Sequence, residues 1–298
     1  MACRSSGRPF LPSVADEHRY IIVGDLHGNY VELPPLLAAV GYDPAADRLI
    51  FAGDYNDHFE KPDCSTRTLI ELLLEIHAAA PQRVTFVRGN HDLWLADWLT
   101  GEGPPDRSWM SQGGMLTLQS YGIEPGAEAD GRGLVPATHR DFFCRLIRQY
   151  YCDDRLVVVH GGFSGPRQMA AVARGAQLNA DDLLALLWNR SYIFDERPRT
   201  HEQFRRYFGE RYLVTGHSPR GPWANPRNPR WLLVDSPGRG EHICAAIITG
   251  DQRVQFMGPE GLVLISVEGL ILNPTHGPAR PGRESHVKGS LPLAQASH

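Results

Sequence analysis

Tyr20-Ile-Ile-Val-Gly-Asp-Leu-His-Gly28 is the stretch that decides how this chain is read. A β-branched apolar run that ends in glycine and a polar residue predicts a buried strand stopping at a functional loop. The same device recurs four times. Leu49-Ile-Phe-Ala52 runs into Gly53-Asp-Tyr-Asn-Asp57, and Val84-Thr-Phe-Val87 precedes Gly89-Asn-His-Asp92. Leu156-Val-Val-Val159 precedes His160-Gly-Gly162, and Tyr212-Leu-Val-Thr215 precedes Gly216-His-Ser218. In open α/β sheets, sites form outside the carboxyl ends of strands. Five such ends would bring Asp25, His27, Asp54, Asn90, His160 and His217 to one place.

One such motif occurs readily by chance; five in order do not. Two carboxylates, three imidazoles and one amide oxygen suit a divalent metal of intermediate hardness, Mn first, with Fe, Zn or Co fitting the same donors. Asp25 and His27 are two apart, so an extended segment points both the same way. Six donors are too many for one tetrahedral ion and too few for two closed octahedra. They fit two ions that share a carboxylate and keep positions open for water and substrate. Ions about 3.5–4 Å apart activate water and clamp the oxygens of an in-line displacement at phosphorus.

At these residues the chain resembles the calcineurin-like metallophosphoesterase superfamily. Gly216-His-Ser-Pro219, with no second histidine two residues on, is similar to the phosphoprotein phosphatase branch. Trp109-Met-Ser-Gln-Gly-Gly-Met-Leu-Thr-Leu-Gln-Ser-Tyr-Gly122 and Leu186-Leu-Trp-Asn-Arg190 resemble segments of bacterial-type serine/threonine phosphatases. The resemblance implies an α/β fold: a two-sheet β-sandwich flanked by helices, with the metal site at the carboxyl ends of the strands. It implies that Asp25, His27 and Asp54 hold one metal, and Asp54, Asn90, His160 and His217 the other. His91 then matches the general acid, and Asp57 the carboxylate that orients it. The implied reaction is hydrolysis of phosphoserine or phosphothreonine by direct attack of a metal-bound hydroxide. The same branch includes hydrolases of symmetrical dinucleoside tetraphosphates, for which Tyr55, Trp94, Trp109, Tyr192 and Trp223 offer aromatic platforms.

The second motif departs from the family, which continues Asp-Arg-Gly where this chain has Asp57-His58-Phe59. A guanidinium grips phosphate with two parallel hydrogen bonds and a permanent charge; imidazole does neither reliably. Arg190 is the first substitute, from its place in the Trp-x-Arg segment, and Arg67 the second. Asn90 also faces substrate in this reading. His58 reads as an exposed loop residue that donates to phosphate only when protonated, and Arg88 as a surface charge. The lost arginine motivates a reading of another class, a pseudophosphatase that binds phosphorylated partners without turnover.

With 298 residues, 42% hydrophobic and 21% charged, the chain reads as ordinary globular protein. The motifs span enough of it to predict one continuous domain over 17–272. Residues 1–16 read as a loose arm, 273–298 as a disordered tail, and the Gly- and Pro-rich 101–136 as a loop insertion or lid. A formal net charge of −4 offers no electrostatic case for nucleic acid. Five scattered cysteines without Cys-x-x-Cys read as reduced thiols of a cytoplasmic protein. No apolar stretch follows the basic N-terminus, and the apolar run 261–272 is too short to span a bilayer, so no membrane partner is expected. The expected partner is a phosphorylated protein or a small phosphoester. Helices are predicted over 30–40, 65–79 with Ser65 as N-cap, 141–150 and 181–187. Strand-helix alternation predicts a parallel core. Runs at 231–235, 242–248 and 253–257 predict antiparallel hairpins and a second sheet.

Overall fold

Every residue of β1 (Tyr20–Val23) is buried, so both faces of this strand are covered. The computed structural model describes residues 18–58, 63–101, 105–128, 131–235, 242–250, 253–258 and the backbone of 261–265. The expected arm at 1–16 and tail at 273–298 lie outside the described residues. β1 pairs parallel with β2 (Arg48–Phe51), which pairs parallel with β3 (Val84–Phe86). Helices Leu33–Ala39 and Thr66–Ala79 make the crossovers. The first starts at Leu33 because Pro34 and Pro35 suit a first turn and no position deeper in a helix. The second starts where predicted, with the Ser65 hydroxyl accepting from Thr68 N.

Side chains alternate along these strands and so build two cores. Ile21, Val23, Leu49 and Phe51 pack on Leu33, Leu36, Leu69 and Leu73 of the crossover helices. Ile22, Ile50 and Ala52 face the other way, onto Val158, Val214 and Leu232 of a second sheet. That sheet comprises β4 (Tyr151–Cys152), β5 (Leu156–Val158), β6 (Tyr212–Thr215), β7 (Trp223–Asn225) and β8 (Asn228–Leu233). Its order is β4-β5-β6-β8-β7, with β5, β6 and β8 parallel. Val157, Leu213, Trp231 and Leu233 form its outer face, packed with Met169, Leu186 and Phe204 from three further helices. The molecule is therefore a two-sheet sandwich with helices on both outsides.

The last strands do not form the second sheet. β9 (Ala245–Ile248), β10 (Val254–Gly258) and β11 (Gly261–Ile265) extend the first one antiparallel from β1, in the order β11-β10-β9-β1-β2-β3. The run at 231–235 instead enters the second sheet beside β6. Periodicity marks a strand but does not name its neighbour. The helix predicted over 141–150 is also corrected. It starts earlier, at Ala137–Asp141, continues through one wide turn at Phe142–Leu146 and stops. Arg148 is captured by the edge of β3, with Arg148 N donating to Phe86 O and Arg88 N to Arg148 O. Sheet pairing outcompetes local helix propensity there.

The described part of 101–136 is helical and packs into the first core instead of covering the site as a loop. Trp109, Leu118, Tyr121, Ile123 and Val135 are all buried in that core. Among the described residues no helix is long and apolar enough to cross a membrane. The four described cysteines, Cys64, Cys144, Cys152 and Cys244, are free thiols, and only Cys244 is fully buried.

The two sheets meet most closely at the end of β1. A methyl group on Gly24 would lie 1.9 Å from the Val234 carbonyl oxygen, a backbone atom that cannot rotate aside. Gly24→Ala should therefore cost about 3 kcal/mol, the upper end for overpacking a core. Urea unfolding at 25 °C measures it, and a loss below about 1 kcal/mol would contradict so rigid a junction.

Candidate metal centre

Each ligand loop begins where a strand end meets its neighbour. Leu26 N and His27 N both donate to Asp54 O, and Gly28 N donates to Tyr55 O, so the loops after β1 and β2 are laced together. Asp25 accepts from His217 N at 3.2 and 3.1 Å, which joins the loops after β1 and β6. Asp54 Oδ1 accepts from His91 N at 3.0 Å, which joins the loops after β2 and β3. Two glycines make these approaches possible. A Cβ on Gly89 would sit 2.0 Å from Asp54 Oδ1, and one on Gly216 2.2 Å from Asp25 Oδ1. The recurrent glycine before a ligand is thus the space that another ligand occupies.

Four non-glycine residues among those described have positive φ: His27 at 42°, Asp54 at 55°, Asp57 at 65° and His217 at 67°. All four are residues singled out from the sequence. A left-handed backbone at such residues costs of order 1–3 kcal/mol each and persists only where the surroundings enforce it.

The six expected ligands converge, each less than 5% exposed. His160 Nδ1 lies 2.9 Å from the Ala52 carbonyl oxygen, so that nitrogen carries a proton and Nε2 faces inward. There Nε2 meets Asn90 Oδ1 at 3.0 Å and Asp54 Oδ2 at 3.2 Å. His27 is oriented in the same way: Nδ1 lies 2.9 Å from Asn56 O, and Nε2 lies 3.7 Å from Asp54 Oδ2. Imidazole nitrogens thus approach Asp54 from two sides. Two donor groups result, His27 with Asp54 and His91, and Asp54 with His160 and His217. Asp54 belongs to both. His91 stands in the first group where the sequence put Asp25, although Asp25 lines the same narrow cavity.

Electrostatics points the same way. Burial would push His160 down, but Asp54 and Asp25 outweigh it and hold the imidazole up at about 10. Burial and the nearby His160 push His217 down to about 2, and burial pushes His27 down to about 4. Burial would raise Asp54 too, yet His160 and His91 hold it well below the usual carboxylate range. Burial and Asp235 push Asp25 well up. Carboxylates, imidazoles and an amide oxygen buried this close together form a mixed oxygen and nitrogen set that divalent ions fit.

His91 Nδ1 lies 2.7 Å from Asp57 Oδ2. Asp57 is held in turn by Trp109 Nε1 and Thr117 Oγ1, each at 2.7 Å, and its own N donates to Thr117 Oγ1. The segment around 109–117 is thus the support of this carboxylate. Sequence reading quoted the segment but gave Trp109 and Thr117 no such part; the signal was a tryptophan and a threonine in an otherwise irregular stretch.

Arg190 Nε donates to His217 Nε2 at 3.1 Å, and Arg190 lines the cavity. Arg67 is not among the cavity residues; its guanidinium pairs with Glu71 on an exposed helix face. His58 is buried, contrary to its reading as an exposed residue, with its ring against the Gly28 backbone. Arg88 is also buried, donating to Phe143 O, and is no surface charge. Of the proposed aromatic platforms, Tyr55, Trp109 and Tyr192 are buried in the cores. Trp94 lies beside His91, with ring centroids 5.0 Å apart. Trp223 packs on Phe194 instead. Trp188, which sequence reading passed over, lies 5.6 Å from the His217 ring and 5.2 Å from Trp94, and is 37% exposed. Asp92 and Asp235 were also missed as parts of the site. Asp92 accepts three backbone N–H groups, and Asp235 lines the cavity beside Asp25.

A family model described as calcineurin-like phosphoesterase matches residues 18–221. The chain belongs to this family. Its members are phosphoester hydrolases that use two metal ions, and the two donor groups sharing Asp54 accord with that count. Over 73 residues the chain is 40% identical to a symmetrical bis(5'-nucleosyl)-tetraphosphatase of Methylococcus capsulatus, covering 24% of this chain and 23% of that one. Over 175 residues it is 38% identical to the serine/threonine-protein phosphatase PP2A-like PPG1 of Candida albicans, covering 56% and 36%. The matches thus span about a quarter to a third of those two relatives. Over 261 residues it is 24% identical to the asymmetrical bis(5'-nucleosyl)-tetraphosphatase PrpE of Bacillus velezensis, covering 81% and 89%. Among solved structures, a cold-active protein tyrosine phosphatase shares the fold with TM-score 0.56 at 16% identity, covering 85% of this chain and 81% of that one.

The shared carboxylate makes metal content a test. After incubation with Mn and gel filtration, elemental analysis should find two ions per chain. Asp54→Ala should lower this below one while the circular dichroism spectrum stays unchanged. A folded variant that still binds two ions would mean that Asp54 is not the shared donor.

Proposed function

We propose that the protein is a two-metal phosphomonoesterase acting on phosphoserine and phosphothreonine. The observation that carries this reading is the His91–Asp57 pair beside the two donor groups. Asp57 fixes Nδ1, which leaves Nε2 as the nitrogen available to the cavity. Burial lowers the pKa of His91, but Asp54 and the Asp57 hydrogen bond outweigh it and raise it overall. An imidazole raised above its usual value keeps a proton at neutral pH and can deliver it to a leaving alkoxide. Two bound ions would supply a water acidified toward neutrality and positive charge for the phosphoryl oxygens.

The chain's own residues then bind and orient the ester. Arg190 stands at the exposed mouth with Nε held by His217, which leaves its terminal nitrogens for two phosphoryl oxygens. Asn90 Nδ2 is buried with no protein partner, and a phosphoryl oxygen would satisfy it. An oriented acid next to a full donor set favours turnover over mere binding.

A second substrate class has its own support. The exposed face of Trp188 beside His217 could stack a nucleobase, and two of the relatives are named as bis(5'-nucleosyl)-tetraphosphatases. Turnover of a phosphoserine peptide and of diadenosine tetraphosphate by the Mn-loaded protein separates the two readings. The peptide should be the better substrate by kcat/KM; a tetraphosphate preference would transfer the assignment to nucleotides.

His91→Asn should slow a phosphoserine peptide by about 10²–10⁴-fold, the usual range for general acid help. An aryl phosphate leaves with little protonation and should suffer much less. Equal losses on both would assign His91 to binding or structure. Arg190→Ala removes a charge-assisted contact worth about 1.5–3 kcal/mol, roughly one to two decades in kcat/KM. An unchanged kcat/KM would leave phosphate gripped by some other residue.

A further inference from the structure

A second cavity lies at the opposite end of the second sheet from the metal centre. Its volume is about 810 Å³, within the range of small-molecule sites. It is lined from the start and middle of helix Pro198–Phe208, from Glu210 just before β6, and from the turn where β8 begins. β6 runs from that end toward His217, and seven residues separate Glu210 from His217. At about 3.3 Å per residue, the cavity and the metal centre are roughly 20 Å apart.

The chemistry of this cavity differs from that of the metal centre. Arg197, Arg205, Arg227 and Arg230 line it together with Glu196 and Glu210, and His201 is buried in its wall, tilted against Trp231 with ring centroids 4.5 Å apart. The surrounding segment shares the bias: 195–230 holds eight arginines against one aspartate and three glutamates in a chain whose formal net charge is −4. Some of the charge is used internally. Arg197 pairs with Asp195, Arg227 lies 3.7 Å from Glu196, and Arg230 donates to the Glu210 carbonyl. Arg205 is exposed, and no described carboxylate pairs with it. The pairings hold neighbouring guanidinium groups in place around the opening. Each is planar and always charged, the geometry suited to tetrahedral oxyanions.

We propose that this cavity is a second ligand site, separate from the metal centre, for a compact organic polyanion bearing several phosphate-like groups. A cavity of this size takes a molecule such as a nucleotide or a polyphosphorylated polyol, and four lining arginines against two glutamates favour several closely spaced anionic groups over one carboxylate. A bound molecule would bridge the start of helix Pro198–Phe208 to the β7–β8 turn.

Inositol hexasulfate is a suitable probe. Its sulfates present tetrahedral oxyanions, a phosphatase does not cleave them, and they compete weakly for divalent ions. Its binding to the full, Mn-loaded chain is measured by calorimetry in four forms. These are the wild type, Asp54→Asn, the double variant Arg205→Glu/Arg227→Glu, and the double variant Arg199→Glu/Arg206→Glu. The last changes the same charge on the same helix and nearby surface without lining the cavity. The wild type and Asp54→Asn should bind alike. The cavity variant should bind at least tenfold more weakly, as expected for lost charge-assisted bonds, and the control variant should lose less than threefold. Thermal melting and aryl phosphatase activity of both arginine variants, expected at wild-type levels, confirm intact folding. No wild-type binding, binding lost in Asp54→Asn, or equal losses in the two arginine variants would each overturn the proposal. The last two would assign the probe to the metal centre and to general surface charge.

Discussion

A single buried carboxylate ties the centre of this molecule together. Asp92 is fully buried and accepts from Gly89 N at 2.6 Å and from Asp54 N and Tyr55 N at 2.9 Å each. It thereby clamps the loop after β2 to the loop after β3 and holds Asp54 in its left-handed backbone. Hydrogen bonds to a charged acceptor contribute about 1.5–3 kcal/mol each, enough to offset strain of about 1–3 kcal/mol per left-handed residue. Burial and the nearby Asp54 push Asp92 up to about 7, while the Tyr55 and Gly89 N–H groups pull it back. The position of Asp54, and with it both donor groups, depends on this clamp.

From Asp54 outward the site is built by mutual constraint. His160 is oriented by the Ala52 carbonyl just upstream of Asp54, and His27 by the Asn56 carbonyl just downstream. The β2 loop therefore supplies a central carboxylate and also aims the imidazole on either side of it. Asp57, from the same loop, aims His91 and is itself held by Trp109 and Thr117. The five residues Gly53 to Asp57 would be a poor place to tolerate mutation for this reason. Every wall of the cavity takes its orientation from that loop or from a strand end beside it.

The family's phosphate-gripping arginine is absent after Asp57, and the fold shows what replaced its surroundings. His58 turns inward onto Gly28, and the turn at Gly113 packs directly on the Asp57–His58 backbone. The guanidinium that lines the cavity comes instead from Arg190, on the other sheet's side and anchored to His217. Trp94 and Trp188 complete an aromatic arc from His91 to His217. The mouth of the site is thus one cation and two indoles.

The strand ends and the convergence of the six candidate metal-binding side chains were legible in the sequence because both are local. A β-branched run, a glycine and a metal-binding side chain lie within a few residues of one another, as in Ile21 to His27. The side on which Arg190 would stand was legible too, from a five-residue match. Pairings between distant segments were not. β9 and β10 carry the same alternation whichever sheet they join, and only the space beside β1 decides it. Arg148 leaves its helix because the β3 edge offers backbone partners. His58 and Arg88 are buried although both side chains are polar, because Gly28 and Phe143 lie over them in space. The sequence by itself determined which groups could bind metal and where strands stop. The tertiary structure decided which donor side chains lie together, what orients His91 and where arginines gather, since these depend on contacts between residues tens to hundreds of positions apart.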